Sequence, residues 1–576
     1  MRALFILFVF CFGLVKANAQ VELVLQRGLQ YEAHAADLSP NDRYLAMASD
    51  KHNESTILIY DLKQNMILRR LLGHTKDIDD VVFCSDDRLL SCSEDGTVKV
   101  WNVKTGKEIW SVSFTATGDY IIASRSGYYM TTPGAFDAIG FLRNGKVLPP
   151  ASFDLIYHRP DSVLRMIGNA ELRTLEAMEK AWTRRVERSG FQVSDLSTGN
   201  WVIPEMIVTS ELSAIQSTRE LSLGFKASTE EGQLQSWQVY INGCPQFGSR
   251  GHPLTNIRSI ELSTDLVLSR GMNIIHFECL NDLGFKSVSN PLVVDFQSNV
   301  ESTNIHILTA AVSEYRDSIY DLTYPQKDAS DLLQAKWEDK FDNVDRTQLH
   351  GSKFSRYAFL EQLSDLKNTD PDDVVVIFLA GHGLLDDEFE FYFATYDCDF
   401  DNPAKYGLSY EELDSMLYLI PSRKVLLMID ACHSGEVDVD LMKTESIVST
   451  NTDQSVSVGS QFRGAKVCSS PQVGLRNSMD YMKQLFVSMN YGTSAQVISA
   501  ASGEGYALES DKWNNGLFTY AFLNALQDSD ADLNRNRKLE VSELRTYVSE
   551  KVEDLSNGKQ IPTARAVNRS DDFVVH

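Results

Sequence analysis

At 576 residues the chain is too long for one domain, and three or four folded units of ~100–200 residues each are expected. Its 43% apolar and 23% charged residues are globular values, which exclude a collagen-like chain, a mostly disordered chain and a coiled-coil rod. With 54 Lys+Arg against 79 Asp+Glu the formal net charge is -25, and no sizeable basic patch opposes it, so nucleic-acid binding is excluded as the main activity.

The chain opens with Met1-Arg2, an apolar run from Ala3 to Val15, then Lys16-Ala17-Asn18-Ala19. A basic start, a short apolar core and an Ala-x-Ala site predict a signal peptide over residues 1–19, cut after Ala19, and a secreted or periplasmic protein. The run is too short to span a membrane, no later stretch reaches 18 apolar residues, and no membrane span is expected. Seven cysteines remain after cleavage, an odd number that leaves at least one thiol unpaired within the chain. Cys244 and Cys279, in one β-rich region, are the pair most open to bridging. The absence of any Cys-x-x-Cys pair leaves a thiolate zinc site without support.

Residues 20–150 read as short strands and turns with a repeat of roughly 40 residues. His34 aligns with His74, and Ile57-Leu58-Ile59-Tyr60-Asp61 with Val98-Lys99-Val100-Trp101-Asn102; the second unit also carries Gly73-His74 and Asp95-Gly96-Thr97. Period and motif resemble the blades of WD40 propellers. A third, degraded unit is expected from Val112. Three blades cannot close a propeller, for which about four are the minimum. The segment is therefore expected to be an incomplete propeller whose open edges pair with another copy or a protein partner.

Residues 151–190 form a helical connector, with Asp161 as a candidate cap and Leu172, Leu175, Met178 and Trp182 as its apolar stripe. Residues 191–299 return to strands, among them Leu221–Phe225, Trp237–Ile241 and Met272–Phe277, and predict an immunoglobulin-like β-sandwich. From residue 303 to 576 near-continuous apolar strands alternate with helices, predicting a largely parallel α/β sheet covered on both faces. The fold class is thus multidomain: a propeller fragment, a β-sandwich and a C-terminal α/β domain.

Chemistry in such sheets gathers at the carboxyl ends of the strands. Val374–Ala380 runs into Gly381-His382-Gly383, and Val425–Asp430 into Ala431-Cys432-His433-Ser434-Gly435. If both tips share one sheet, Cys432 is the candidate nucleophile and His382 the base that ionises it and later protonates the leaving amine. The amides of Gly383 and Cys432 are the candidate oxyanion hole, and the glycines are expected to let the backbone turn sharply there.

A strand ending in Gly-His-Gly, followed 50 positions later by Asp-Ala-Cys-His-Ser-Gly after a second strand, resembles the caspase/metacaspase cysteine peptidases. Leu322–Ala329, Ile498–Glu504, Ala507–Glu509 and Gly516–Thr519 resemble further segments of that family. The resemblance implies that Asp328 and Asp430 line an acidic S1 pocket, selecting protein or peptide substrates with Arg or Lys at P1. It also marks Ala380 as a departure, because metacaspases usually carry Ser there. Residues 437–476, rich in Ser, Thr, Val and Gln, are expected to be an exposed linker open to self-cleavage.

No cofactor is required by this chemistry. Asp532, Asn534, Asn536, Glu540 and Glu543 occupy positions 1, 3, 5, 9 and 12 of an EF-type loop, which makes Ca²⁺ a candidate ligand, although Arg537 replaces the sixth-position glycine. The resemblance adds Asp397, Asp399 and Asp401 as looser calcium candidates. Two other functions compete with the peptidase: a non-catalytic scaffold built on the WD40-like part, and a thiol acyltransferase using the same dyad.

Overall fold

The computed structural model describes residues 33–49, 55–116, 118–143, 145–168, 170, 172–196, 202–298, 304–386, 388, 390–433, 461–462, 495–500, 508–560, 562–564 and 572–576. The expected signal peptide, residues 1–19, and all but two residues of the expected linker 437–476 lie outside them. Those two, Gln461–Phe462, are a short strand antiparallel to Leu508–Ser510 rather than loop. The chain divides into two units, Met1–Tyr129 and Met130–His576.

In the first unit, strands Ala35–Leu38, Tyr44–Ser49, Thr56–Asp61 and Met66–Leu72 form one antiparallel meander. Ile78–Ser85, Arg88–Ser93, Thr97–Asn102 and Lys107–Phe114 form a second. Both sheets contribute to one apolar core, with Ile57, Ile59 and Leu71 against Val81, Leu89 and Trp101. The second sheet shows why its landmark residues recur. His74 Nδ1 lies 2.9 Å from Asp95 Oδ2 and Nε2 lies 2.7 Å from Ser91 Oγ, to which Trp101 Nε1 donates at 2.8 Å. Gly73 sits at φ +155, and a Cβ there would meet the Trp101 ring at 3.0 Å, so glycine lets the indole close on the turn. The unit expected from Val112 is not a third blade. Val112 lies inside strand Lys107–Phe114, and Tyr120–Ser124 extends the same sheet by pairing with that strand after a turn closed by the Thr115 N–H on the Asp119 carbonyl.

The second unit begins with the connector. Helix Leu172–Arg188 buries Leu175, Met178 and Trp182, while Leu172 stays exposed. Ala177 and Met178 join the core of the α/β domain; Trp182 and Val186 pack with Leu155, Leu196 and Leu280 of neighbouring segments. Asp161 is not a cap: it lies inside helix Pro160–Ile167, and its carboxylate is held bidentately by Arg159 at 2.8 and 2.7 Å. Pro160, with no N–H to satisfy, already occupies the first helical position.

Strands Glu205–Val208, Glu220–Ser228 and Ser259–Val267 make one sheet; Ile215–Gln216, Leu292–Phe296, Gly271–Asn281, Leu234–Ile241 and Cys244–Pro245 run in that order through another. The sheets share a core in which Phe225 packs on Trp237 and Phe277, with centroids 4.7 and 5.1 Å away. Alternate burial along Glu220–Ser228 follows directly from the period-2 pattern of its sequence. Cys244 and Cys279 are both buried, and the two are not joined in a disulfide. They sit on opposite flanks of Leu234–Ile241, Cys244 opposite Ile241 and Cys279 opposite Trp237. Two strand spacings of ~4.8 Å exceed the reach of a disulfide.

The α/β domain is a sheet in the order Asn343–His350, Asn304–Ala311, Val374–Leu385, Lys424–His433, Ala495–Ser499, Thr563–Ala564. The first five run parallel and the last antiparallel. Helices Pro325–Leu333, Leu517–Ala525 and Val541–Ser556 cover one face; Arg356–Asp365, Tyr410–Leu417 and the connector helix cover the other. The strand order reverses between Asn304–Ala311 and Val374–Leu385. In open α/β sheets ligands bind at the carboxyl ends of the strands beside such a reversal.

Candidate active site

His382 and Cys432 occupy equivalent places at the carboxyl ends of adjacent parallel strands, and their backbones are register partners. The pairing does not stop at Leu379 and Ile429, as the apolar runs predict. It continues through Gly381 with Ala431, His382 with Cys432 and Gly383 with His433. Gly383 then pairs antiparallel with Phe393. The Gly-His-Gly segment is therefore strand, not the sharp turn expected. Gly381 still answers a steric need, since a Cβ at this position (φ +152) would lie 2.7 Å from Tyr315 Oη.

His382 is 1% exposed. Its Nε2 lies 2.8 Å from the Tyr320 carbonyl oxygen. A carbonyl only accepts, so in the neutral ring Nε2 carries the proton and Nδ1 keeps the basic lone pair. Two aromatic side chains flank the imidazole, and a third backs one of them. Tyr315 lies 5.2 Å away and tilted, Phe400 5.5 Å away and edge-on, and Tyr320 stacks on Phe400 with ring planes 2° apart. Tyr315 and Tyr320 come from the segment that follows strand Asn304–Ala311.

The two candidate S1 acids come together at one helix. Asp328, fully buried on Pro325–Leu333, accepts from the Gly516 N–H at 3.0 Å and from Asn515 Nδ2 at 2.9 Å. Asp430, 1% exposed, accepts from Thr519 Oγ1 at 2.9 Å. Gly516 is the N-cap of Leu517–Ala525, so both carboxylates sit at the first turn of that helix, where its dipole favours negative charge. A third carboxylate joins them. Glu509, 2% exposed and the register partner of Gly516, accepts from the N–H groups of Thr323 and Tyr324, just before the Asp328 helix.

The EF-type loop does not offer its carboxylates to an ion. Asp532 accepts from the N–H groups of Asn536 and Arg537. Glu540 takes the side-chain amides of Asn534 and Asn536. Glu543 takes the N–H groups of Asn534 and Glu540, closing a capping box on helix Val541–Ser556. Arg537 adopts the positive φ (65°) that the missing glycine would have supplied. Asp397 and Asp399 likewise bond their own loop, to Thr395 Oγ1 and the Asp401 N–H. Among the described residues no group of three or more His, Cys, Asp or Glu is arranged to hold a metal. In the structure the oxygens of this loop accept the loop's own amides.

Sequence reasoning missed the Tyr320 carbonyl, Tyr315, Phe400 and the role of Thr519. A backbone oxygen leaves no signal in sequence. Phe400 lay unnoticed inside the acidic run that was considered only for calcium.

Comparison with known proteins bears on both units. Residues 307–574 match the caspase domain, and residues 65–102 match the WD domain, G-beta repeat. The chain is 30% identical over 168 residues to pre-mRNA-processing factor 19 of Bos taurus, covering 26% of this chain and 30% of that protein. It is 41% identical over 75 residues to the WD repeat-containing protein 89 homolog of Dictyostelium discoideum, covering 13% and 20%. The chain thus spans less than a third of the length of these relatives. Among solved structures, that of U3-55K aligns with a TM-score of 0.13 at 22% identity, over 17% of this chain and 33% of that one. The computationally designed Ika4 protein aligns at 0.14 and 23% identity, over 23% and 78%. Among the described residues no helix is long and apolar enough to cross a membrane. Residues 307–574 are therefore a caspase-family domain of the cysteine-protease superfamily, carried on a chain that also holds a WD40-type repeat segment.

Proposed function

We propose that the chain is a cysteine endopeptidase that hydrolyses peptide bonds after Arg or Lys. The observation that carries this reading is the register pairing of His382 with Cys432 at the carboxyl end of a caspase-family sheet. In this mechanism His382 Nδ1 takes the Cys432 thiol proton, and the thiolate attacks the scissile carbonyl. The oxyanion that forms is held by the amides of Gly383 and Cys432. The imidazolium then protonates the leaving amine, which departs and leaves an acyl-enzyme. Water, deprotonated by the same imidazole, releases the new carboxylate and restores the thiol.

Selection of a basic P1 side chain rests on Asp328 and Asp430, with Glu509 adding negative charge nearby. Three buried carboxylates sharing one small region favour a guanidinium or ammonium over any anion. Export follows from the basic, apolar and small-residue order of the first 19 residues. Docking of a protein partner falls to the WD40-type segment, whose two described sheets fall short of the ~4 blades that close a propeller.

The test is fluorophore release from matched Arg, Lys and Asp P1 peptides by the full chain and by Cys432→Ala, under reducing conditions. Calcium and chelator lanes run alongside. Cleavage after Arg or Lys that vanishes in Cys432→Ala, equally in both lanes, is the expected result. Cleavage after Asp overturns the acidic pocket, and silence in every lane returns the chain to the scaffold reading.

A further inference from the structure

We propose that Tyr315 is a positioning residue that holds His382 in one tautomer and one orientation, an inference that rests on the Cys432/His382 reading above. Tyr315 acts on the base from behind, through three contacts.

The hydroxyl accepts the His382 backbone N–H at 3.0 Å, a buried donor inside the strand end. The ring lies 5.2 Å from the imidazole, and Phe400 stands edge-on to both, at 5.4 Å from Tyr315 and 5.5 Å from His382. The position before the base is glycine, and any side chain there would strike Tyr315 Oη. The hydroxyl and the strand are thus fitted to each other more closely than an ordinary residue pair permits.

Tyr315 is also tied to the group that sets the tautomer. Its own N–H donates to Asp321 Oδ1 at 2.8 Å, and Asp321 directly follows Tyr320, whose carbonyl faces His382 Nε2. The Tyr320 ring in turn stacks on Phe400 with centroids 3.6 Å apart. Tyr315, Tyr320 and Phe400 therefore form one body around the imidazole. A half-turn of that ring would bring Cε1 to the Tyr320 carbonyl in place of Nε2 and forfeit the bond. Between the Tyr315 and Phe400 rings, only the orientation with Nδ1 unprotonated keeps that bond. General-base catalysis depends on that lone pair staying aligned with its proton donor, and small misplacements of reacting groups cost large factors in rate.

The experiment compares the full chain with Tyr315→Phe, which removes only the hydroxyl, and with Phe400→Leu, which removes the wall but no hydrogen bond to the strand. Two quantities are read: kcat and KM for an Arg P1 peptide across pH, and the ¹⁵N imidazole signals of His382, identified by their loss in His382→Gln. Tyr315→Phe is expected to lower kcat about tenfold to a hundredfold while KM changes by less than about twofold. It is also expected to convert the single Nε2-protonated signature into a mixture of tautomers. Phe400→Leu is expected to shift the tautomer signature in the same sense, and it carries the test if Tyr315→Phe does not fold. Unchanged kcat, pH profile and tautomer pattern in a folded variant overturn the proposal. If the parent chain cleaves nothing, the peptidase reading fails by itself, and the imidazole signals still decide whether Tyr315 sets the tautomer.

Discussion

The imidazole Nε2 of His382 sits 2.8 Å from the main-chain oxygen of Tyr320, a residue on a different strand's loop. Because the acceptor is backbone, no side-chain substitution at position 320 removes it, and the tautomer is a property of the fold. This makes the imidazole itself the informative site to change. His382→Ala is expected to lower peptide hydrolysis by about 10²–10⁴-fold, the range typical of a general acid–base. Added free imidazole should restore part of the rate, since the substitution leaves a ring-sized space beside Tyr315 and Phe400. Steady-state kinetics with and without imidazole checks this.

The acidic residues at the first turn of Leu517–Ala525 serve structure and charge at once, and different substitutions separate the two. Asp430→Asn keeps an oxygen acceptor for Thr519 Oγ1 and removes the charge. A hydrogen bond to a charged group is worth about 1.5–3 kcal/mol, so kcat/KM for an Arg P1 peptide should fall about 10–100-fold with little loss of stability. Asp328→Ala instead strands the buried Gly516 N–H, while the Asn515 amide keeps its bond to Asp331. It should cost about 1–3 kcal/mol of stability, read as a lowered midpoint in denaturant, before any effect on specificity is seen.

The β-sandwich is fastened to the caspase-family domain by a buried arginine. Arg423, 7% exposed, donates to Ser269 Oγ at 2.8 Å, to the Val267 carbonyl at 2.5 Å and to Gln246 Oε1 at 3.3 Å. Burial pulls its pKa down, a sign that neighbouring carboxylates do not fully compensate the desolvated charge. Arg219 adds an outer clamp on Asp370 and Asp372. Arg423→Met fills the volume but leaves three acceptors without a donor, and should destabilise the contact by about 2–4 kcal/mol. Calorimetry should then resolve separate melting of the sandwich and the caspase-family domain where the parent melts them together. A single unchanged transition would show that the arginine is not the fastening.

How much of this was legible beforehand depended on whether a residue's role is local. Strand Asn304–Ala311 and helix Tyr410–Leu417 are marked by local signals, an apolar run and a Ser409/Glu412 capping box. Asn343–His350 escaped notice because it is an edge strand. One side of it has no neighbour, so its sequence is polar and mostly exposed. Leu517–Ala525 escaped for the opposite reason: a helix buried on nearly all sides shows no amphipathic period. The Cys432 and His382 strand ends could be paired from sequence because each apolar run leads directly into a reactive residue. Tyr315, Tyr320 and Phe400 could not, because only the reversal of strand order brings their loops over His382.

The Gly73-His74 blade carries its own test, in pH. Burial opposes ionisation of Asp95. Hydrogen bonds from Thr97 Oγ1, the Thr75 N–H and His74 outweigh it, and the carboxyl falls from its usual 3.8 to about 2. His74 moves the same way, burial lowering it below its ordinary 6.5. For a carboxyl depressed in the folded state, the stabilisation is complete above the unfolded value and is lost as pH falls through the folded one. For a histidine so depressed, the unfolded chain binds protons first, so stability begins to fall below about 6.5. Both groups thus make the WD40-type unit weaker in acid, in two successive windows. Asp95→Asn should erase the loss between pH 3.8 and about 2 and leave the one beginning near neutrality. Thermal unfolding of the full chain across pH, with the transition assigned by its shift in Ser91→Ala, measures both windows. Persistence of the acid limb in Asp95→Asn would place its origin outside the His74, Ser91, Asp95 and Trp101 cluster.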